Sequence, residues 1–121
     1  RVHHFARAAL HWHMHGNVHF QSWLKGSVVH RSYNRATTLH NIQQLLLKGN
    51  VAYDIMGHTF FTEDGIETEN VLEGNLGLAT RVSNALLATD TTPATYWIVN
   101  PNNVYRHNHA GGGDAYGYWY K

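Results

Sequence analysis

Residues Asn50 to Glu67 read NVAYDIMGHTFFTEDGIE, and the outline of this stretch, taken with the three residues before it, returns elsewhere in the chain. Leu47-Lys48-Gly49-Asn50-Val51-Ala52-Tyr53 aligns with Leu24-Lys25-Gly26-Ser27-Val28-Val29-His30 and with Leu72-Glu73-Gly74-Asn75-Leu76-Gly77-Leu78. Each copy runs apolar, charged, Gly, small polar, apolar. The glycines lie 23 and 25 residues apart, inside the period of roughly 20–50 residues that marks stacked repeats. A weaker fourth copy, Tyr105-Arg106-His107-Asn108-His109-Ala110, follows after a longer interval. Ser27, Asn50, Asn75 and Asn108 therefore fall in one column, which is expected to be a polar ladder at a turn.

Eight residues past three of these ladder positions comes a second extended segment: Arg35 to His40, His58 to Glu63 and Tyr116 to Lys121. These segments are rich in β-branched and aromatic residues. Two short strands and a Gly or Asn turn per period, with no helical stretch between them, describe the rung of a parallel β-helix. A leucine-rich repeat would need regularly spaced leucines, and only Leu45-Leu46-Leu47 offers anything similar. The expectation is an all-β solenoid of about four coils and a fragment of a longer stack, because neither end reads as a cap. Residues 1–121 form one segment, with coils near 9–21, 22–43, 44–67, 68–80 and 95–121. Residues 81–94 form a loop insertion, with a short helix expected at Val82 to Ala88. Thr95 to Val99 reads as a strand, Asn100-Pro101-Asn102-Asn103 as a turn, and Gly111-Gly112-Gly113-Asp114 as a flexible loop that lacks the context of a phosphate-binding loop.

A net charge of +1 with 14% charged residues gives no electrostatic footprint for nucleic acid or a membrane surface. No apolar run is long enough to span a bilayer, so no membrane insertion by these residues is expected. Without cysteine there is neither a disulfide framework nor a thiolate metal site. A Gly-x-Ser-x-Gly elbow is absent as well.

Histidine is the unusual component: 11 residues against 9 Lys and Arg. In Ala9 to Gly16, Leu10, Trp12 and Met14 alternate with His11, His13 and His15, the period of a strand with one apolar and one imidazole face. Aligned with the later strands, Leu10, Thr37, Phe60 and Tyr118 share an inward column, as do Trp12, Leu39, Thr62 and Tyr120. His11, Thr38, Phe61 and Trp119 share an outward column, and His13, His40, Glu63 and Lys121 another. A register slip of one residue would invert both faces.

In this register His11, His13, His40 and Glu63 converge on one outer wall. Three imidazoles and a carboxylate suit a divalent transition metal of the Zn²⁺ type. The plainer alternative is a polar ladder of stacked imidazoles. Phe61 and Trp119 are candidate sugar-stacking rings, with His11 as a hydrogen-bonding partner. Glycoside hydrolysis needs two carboxyl groups roughly 5–10 Å apart, and Glu63, Glu67 and Asp54 are the candidates. Glu63 and Asp64 are adjacent and would face opposite ways on a strand.

Several runs resemble a known family: His11-Trp12-His13-Met14-x-Gly16, Ser32-Tyr33-Asn34-Arg35-Ala36 leading to Leu39-His40, Asn50-Val51-Ala52-Tyr53-Asp54, and Gly57-His58 through Phe60-Phe61-x-Glu63-Asp64-Gly65-x-Glu67. Thr92-Pro93-Ala94 to Trp97, Asn100 to Asn103, Arg106-His107-Asn108 and Gly117 to Tyr120 extend the likeness. Together they resemble the β-helix region of the fibrocystin and fibrocystin-L family, shared with the cell-surface hyaluronidases of the cell-migration-inducing type. The resemblance implies a right-handed parallel β-helix within a large extracellular or membrane-anchored protein at the cell surface or in a ciliary coat. It also implies glycan, matrix or coat-protein partners and flanking coils of the same chain. From the hyaluronidase-type relatives it implies a Ca²⁺ dependence. Gly16-Asn17 stands where relatives carry Gly-Asp, which argues against carrying enzymatic activity over. The expected function is a structural or adhesive module that binds carbohydrate. The alternatives are a hyaluronan-type depolymerase using the His/Glu face and a metal-stabilised scaffold without turnover.

Overall fold

The chain's fold is known from a computed structural model that describes residues 8–84 and 87–121. Its strands are β1 (Leu10–Asn17), β2 (Trp23–Lys25), β3 (Val28–Ser32), β4 (Thr37–Gln43), β5 (Leu46–Lys48), β6 (Val51–Met56) and β7 (Phe60–Thr62). They continue as β8 (Val71–Glu73), β9 (Leu76–Arg81), β10 (Ala94–Ile98), β11 (Val104–Arg106), β12 (His109–Gly111) and β13 (Tyr116–Tyr120). All pairing is parallel, in three sheets ordered β1-β4-β7-β10-β13, β11-β8-β5-β2 and β12-β9-β6-β3. Each coil contributes one strand to each sheet, so the architecture is a parallel β-helix. A coil has three strands where two were expected. The Leu-x-Gly-Asn segments are not one strand and its turn; they are two short strands meeting at a corner.

The corner explains the glycine column. Gly26, Gly49 and Gly74 adopt φ of +57°, +64° and +64°, and His107 takes the same left-handed backbone at +57°. A side chain in that region costs about 1–2 kcal/mol, which is why the fourth copy reads as the weakest. Immediately after each corner, the polar column forms a continuous ladder. The Asn50 side-chain oxygen accepts from the Ser27 backbone N–H, Asn75 from that of Asn50, and Asn108 from that of Asn75, at 2.9–3.0 Å. The amide nitrogens of Asn50, Asn75 and Asn108 donate to the carbonyls of Leu24, Leu47 and Leu72. Asn50 and Asn75 are buried, so every amide has found the partners that burial demands.

A second ladder runs in parallel. The Asn70 oxygen accepts from Leu45 N–H at 3.0 Å, and Asn103 accepts from Asn70 N–H at 2.9 Å. The Asn70 nitrogen donates to the Ile42 carbonyl and that of Asn103 to the Glu67 carbonyl.

Register in the first sheet follows the expected columns as far as they go. Leu10 pairs with Thr37 and Thr37 with Phe60; His11 with Thr38 and Thr38 with Phe61; Trp12 with Leu39 and Leu39 with Thr62. One rung intervenes before β13, however. Phe60 and Phe61 pair with Tyr96 and Trp97, and these pair with Tyr118 and Trp119. The loop after β9 lengthens this coil, so spacing alone passed over β10. The core is aliphatic, built from Leu39, Ile42, Leu45, Leu47, Ile55, Leu72 and Ile98, with an inward ring stack of Phe60 on Tyr96 (4.8 Å) and Tyr96 on Tyr118 (4.7 Å). Offset parallel rings at this spacing add to the burial term.

The segment after β9 does not form the expected helix. Val82, Ser83, Asn84 and Leu87 are not helical, residues 85 and 86 lie outside the described residues, and a single 3-10 turn forms at Ala88–Thr91. Asp90 dictates this, because its Oδ2 accepts from Leu87 N–H at 3.1 Å and folds the turn back on itself. No helix among the described residues is long and apolar enough to cross a membrane.

Candidate functional site

Strand β1 presents His11 and His13 on its outer face, two residues apart, and the ladder pairs His13 directly with His40 of β4. Neighbouring parallel strands lie about 4.8 Å apart, and the His13 and His40 ring centroids are 4.8 Å apart, edge to face. His11 meets His13 at 5.2 Å and His40 at 6.0 Å. Glu63, the first residue after β7, donates its backbone N–H to the Leu39 carbonyl at 3.0 Å. That bond delivers its carboxylate to the imidazoles: Oε2 lies 3.4 Å from His40 Nδ1 and 4.0 Å from His11 Nε2. All four residues read from the sequence as a cluster stand together on one wall.

Asp64 joins them, contrary to the expectation that it faces away from Glu63. Strand β7 ends at Thr62, so alternation stops there, and the bend brings Asp64 Oδ2 to 2.7 Å from His40 Nε2. Glu67 holds that bend. Its carboxylate is fully buried and accepts N–H donors from Asn41 (2.8 Å), Gly65 (2.9 Å) and Asp64 (3.2 Å). Glu67 is thereby committed to turn structure. Asp54 lies on β6, in a different sheet, bonded to Arg81 Nε. Glu63, Glu67 and Asp54 do not converge.

Partial burial lowers the pKa of His11, and the nearby His13, His40 and Arg35 lower it further. Its Nε2 is buried without a hydrogen-bond partner. An imidazole-rich set does not suit Ca²⁺, which takes six to eight oxygen ligands; the Ca²⁺ implied by family resemblance finds no fit at this cluster.

Of the candidate stacking rings, Phe61 is only 2% exposed. The Arg35 guanidinium lies 3.7 Å over its ring, His58 stacks at 5.4 Å, and Trp97 packs beside it. Trp119 is 38% exposed and stacks on Trp97 at 6.0 Å.

Phe61 is covered by a buried polar cluster that sequence reasoning missed. Arg35 and Asp90 form an ion pair at 3.0 Å with both side chains almost wholly buried. Asp90 Oδ1 also accepts from His58 N–H at 2.9 Å. His58 Nδ1 accepts from Ala94 N–H at 3.0 Å, which places the ring proton on Nε2, 3.1 Å from Thr89 Oγ1. Burial is the main cause that pushes the His58 pKa down to about 4, with Arg35 adding to it and Asp90 opposing. The second Asn ladder was also missed, although a signal existed: Asn70 and Asn103 each stand five residues before Asn75 and Asn108.

The sequence profile of the CEMIP beta-helix family matches residues 2–121. The chain is 50% identical over 115 residues to fibrocystin-L of Mus musculus and 47% identical over 115 residues to fibrocystin-L of Homo sapiens, in each case over 95% of this chain and 3% of the relative. It is 35% identical over 145 residues to the cell surface hyaluronidase CEMIP2 of Homo sapiens, over 94% of this chain and 10% of that protein. The chain thus spans about 3% of the length of the fibrocystin-L relatives. No solved structure matches significantly.

Proposed function

Because this chain belongs to the CEMIP beta-helix family, we propose that it serves as a rigid, non-catalytic β-helix module of a larger cell-surface protein, one that contacts an extracellular glycan. The observation that carries the scaffold reading is the pair of asparagine ladders, which bolt successive coils together with buried, fully bonded amides. Such a stack transmits position along its axis and has little freedom to close around a substrate. The glycan reading draws on relatives named as hyaluronidase and hyaluronan-binding proteins, with the Trp119 ring, stacked on Trp97, as its candidate contact.

The enzymatic alternative rests on a single observation, that Glu63 and Asp64 bracket one imidazole. Incubation of the full-length protein with high-molecular-mass hyaluronan separates the readings. Retention of the polymer without shortening is the expected outcome, with weaker retention for Trp119→Ala. Shortening that disappears in Glu63→Gln would replace the scaffold by a depolymerase, and no retention would remove the glycan.

A further inference from the structure

The same wall carries a feature that scaffolding does not require. We propose that His11, His13, His40 and Glu63 form a binding site for one divalent transition metal ion, with Zn²⁺ the best-fitting member, and that Asp64 is a positioning residue behind His40.

The spacing of the donor atoms is the first argument. Zn²⁺ holds nitrogen and oxygen ligands at about 2.0–2.1 Å in a tetrahedron, so its ligand atoms lie about 3.3 Å from one another. Here His13 Nδ1 lies 3.1 Å from His40 Nδ1, His40 Nδ1 lies 3.4 Å from Glu63 Oε2, and Glu63 Oε2 lies 4.0 Å from His11 Nε2. One ligand atom from each of the three imidazoles fits within a 4.8 Å span. Small side-chain rotations would bring all four donors to coordination distance.

The second argument is protonation. Asp64 Oδ2 at 2.7 Å from His40 Nε2 accepts the proton carried there, which leaves the His40 Nδ1 lone pair aimed at His13 and Glu63. A carboxylate behind an imidazole is the usual device that fixes a metal-binding tautomer and raises ligand basicity. With His40 in this tautomer, Nδ1 accepts from His13 Nδ1–H at 3.1 Å and faces the Glu63 oxygen at 3.4 Å, and a cation taking the place of that proton would be shared by all three atoms. His11 Nε2 has no hydrogen-bond partner within the protein and lies 4.0 Å from Glu63 Oε2, on the side of the other donors.

The third argument is backbone geometry. β1 carries a bulge between His13 and Gly16, and Met14 and Asn41, immediately after His13 and His40, both adopt left-handed φ, +57° and +48°. Bulges of this kind re-aim side chains and are enriched beside functional sites. Left-handed φ recurs at Arg31, Asp54 and Ala79 in the third sheet, so it is the bulge that sets β1 apart. The side chains of His11, His40 and Glu63 are 18–24% exposed, so an ion can enter from solvent.

This inference goes beyond the scaffold reading and stands without it. The test strips the full-length protein with a chelator and titrates it with Zn²⁺ by calorimetry and with Co²⁺ by absorbance. One tight equivalent is expected, giving the intense visible bands of four-coordinate Co²⁺. His13→Ala, at an exposed position that does not threaten folding, should abolish it, and Glu63→Gln should weaken it. Asp64→Asn should keep the stoichiometry while lowering affinity about 10- to 100-fold. His19→Ala, at an exposed imidazole elsewhere on the chain, should change nothing. Absence of a tight equivalent, or an equivalent unmoved by His13→Ala and Glu63→Gln, would overturn the site, whatever the hyaluronan experiment returns.

Discussion

His58 shows how one buried side chain makes the fold sensitive to acid. Its imidazole is neutral in the folded chain, with Nδ1 accepting from Ala94 N–H and Nε2 facing Thr89. The charged groups around it are Asp90, which favours protonation, and Arg35, which opposes it; burial, with Arg35 on its side, outweighs Asp90 and holds the pKa at about 4. The unfolded chain protonates this residue near pH 6.5. Between pH 6.5 and about 4 the unfolded state therefore binds more protons than the folded one, and stability falls as pH falls. Urea midpoints measured at pH 7.5, 6 and 5 should decrease in that order. His58→Asn retains an acceptor for Ala94 and should flatten the slope; an equally steep slope in that variant would assign the acid sensitivity elsewhere.

Several contacts at this scale were legible in the sequence. The alternation of His11 and His13 with Leu10 and Trp12 announced an imidazole face, and the register that set His13 beside His40 and Glu63 agrees with the structure. Asp64 was misplaced because strand alternation was extended one residue past the end of β7. The Arg35–Asp90–His58 cluster was invisible for a different reason. Asp90 lies in an irregular segment with no period, and nothing in its sequence says which coil it will fold against.

At the scale of the element, the corners and their ladders decide how coils are joined. Asn75 is the central amide: it accepts from Asn50 backbone and side chain and donates to the Leu47 carbonyl. Asn75→Ala would leave the Asn50 N–H and the Leu47 carbonyl buried without these partners. Losing the bonds and orphaning the groups costs about 2–4 kcal/mol, readable as a shift in the chemical-denaturation midpoint. Asn75→Asp keeps the acceptor but turns a carboxylate oxygen against the Leu47 carbonyl and the Asn108 oxygen in a buried site, so it should destabilise at least as much as Asn75→Ala. An unchanged midpoint for Asn75→Ala would mean that water replaces the ladder. The Gly-Asn repeat disclosed this column from the sequence because a left-handed corner and a buried amide each demand a narrow choice of residue. The three-strand coil was not disclosed, since strands of three residues such as β5 and β8 are too short for any period to register.

The whole molecule is a parallel β-helix whose outer face is latched by the segment following β9. Arg35 and His58 occupy equivalent corners of successive coils, just before β4 and β7, and both bond to Asp90. The latch thereby fastens two coils from outside, through the same Arg35 and His58 that cover Phe61 and Trp97. Asp90→Ala leaves the Arg35 charge buried and unpaired, a cost of about 3–5 kcal/mol, and frees the segment. Limited proteolysis should then cut within residues 82–93 well before the coils are digested. Cleavage no faster than in the parent protein would show that the remaining contacts, such as that of Thr89 with His58, hold the segment without the ion pair.

The left-handed corner followed by an asparagine has a further consequence for how such a molecule changes over generations. Each coil closes on the same corner, so the insertions that preserve the column are an entire additional coil, an outward loop like the one after β9, or a local bulge like that of β1. A whole coil lengthens the rod by one step of about 4.8 Å and leaves every other amide in the column correctly mated. A single inserted residue within a strand misaligns the amides beyond it unless a bulge absorbs it, as in β1 between His13 and Gly16. The protein is therefore a ruler graduated in fixed divisions.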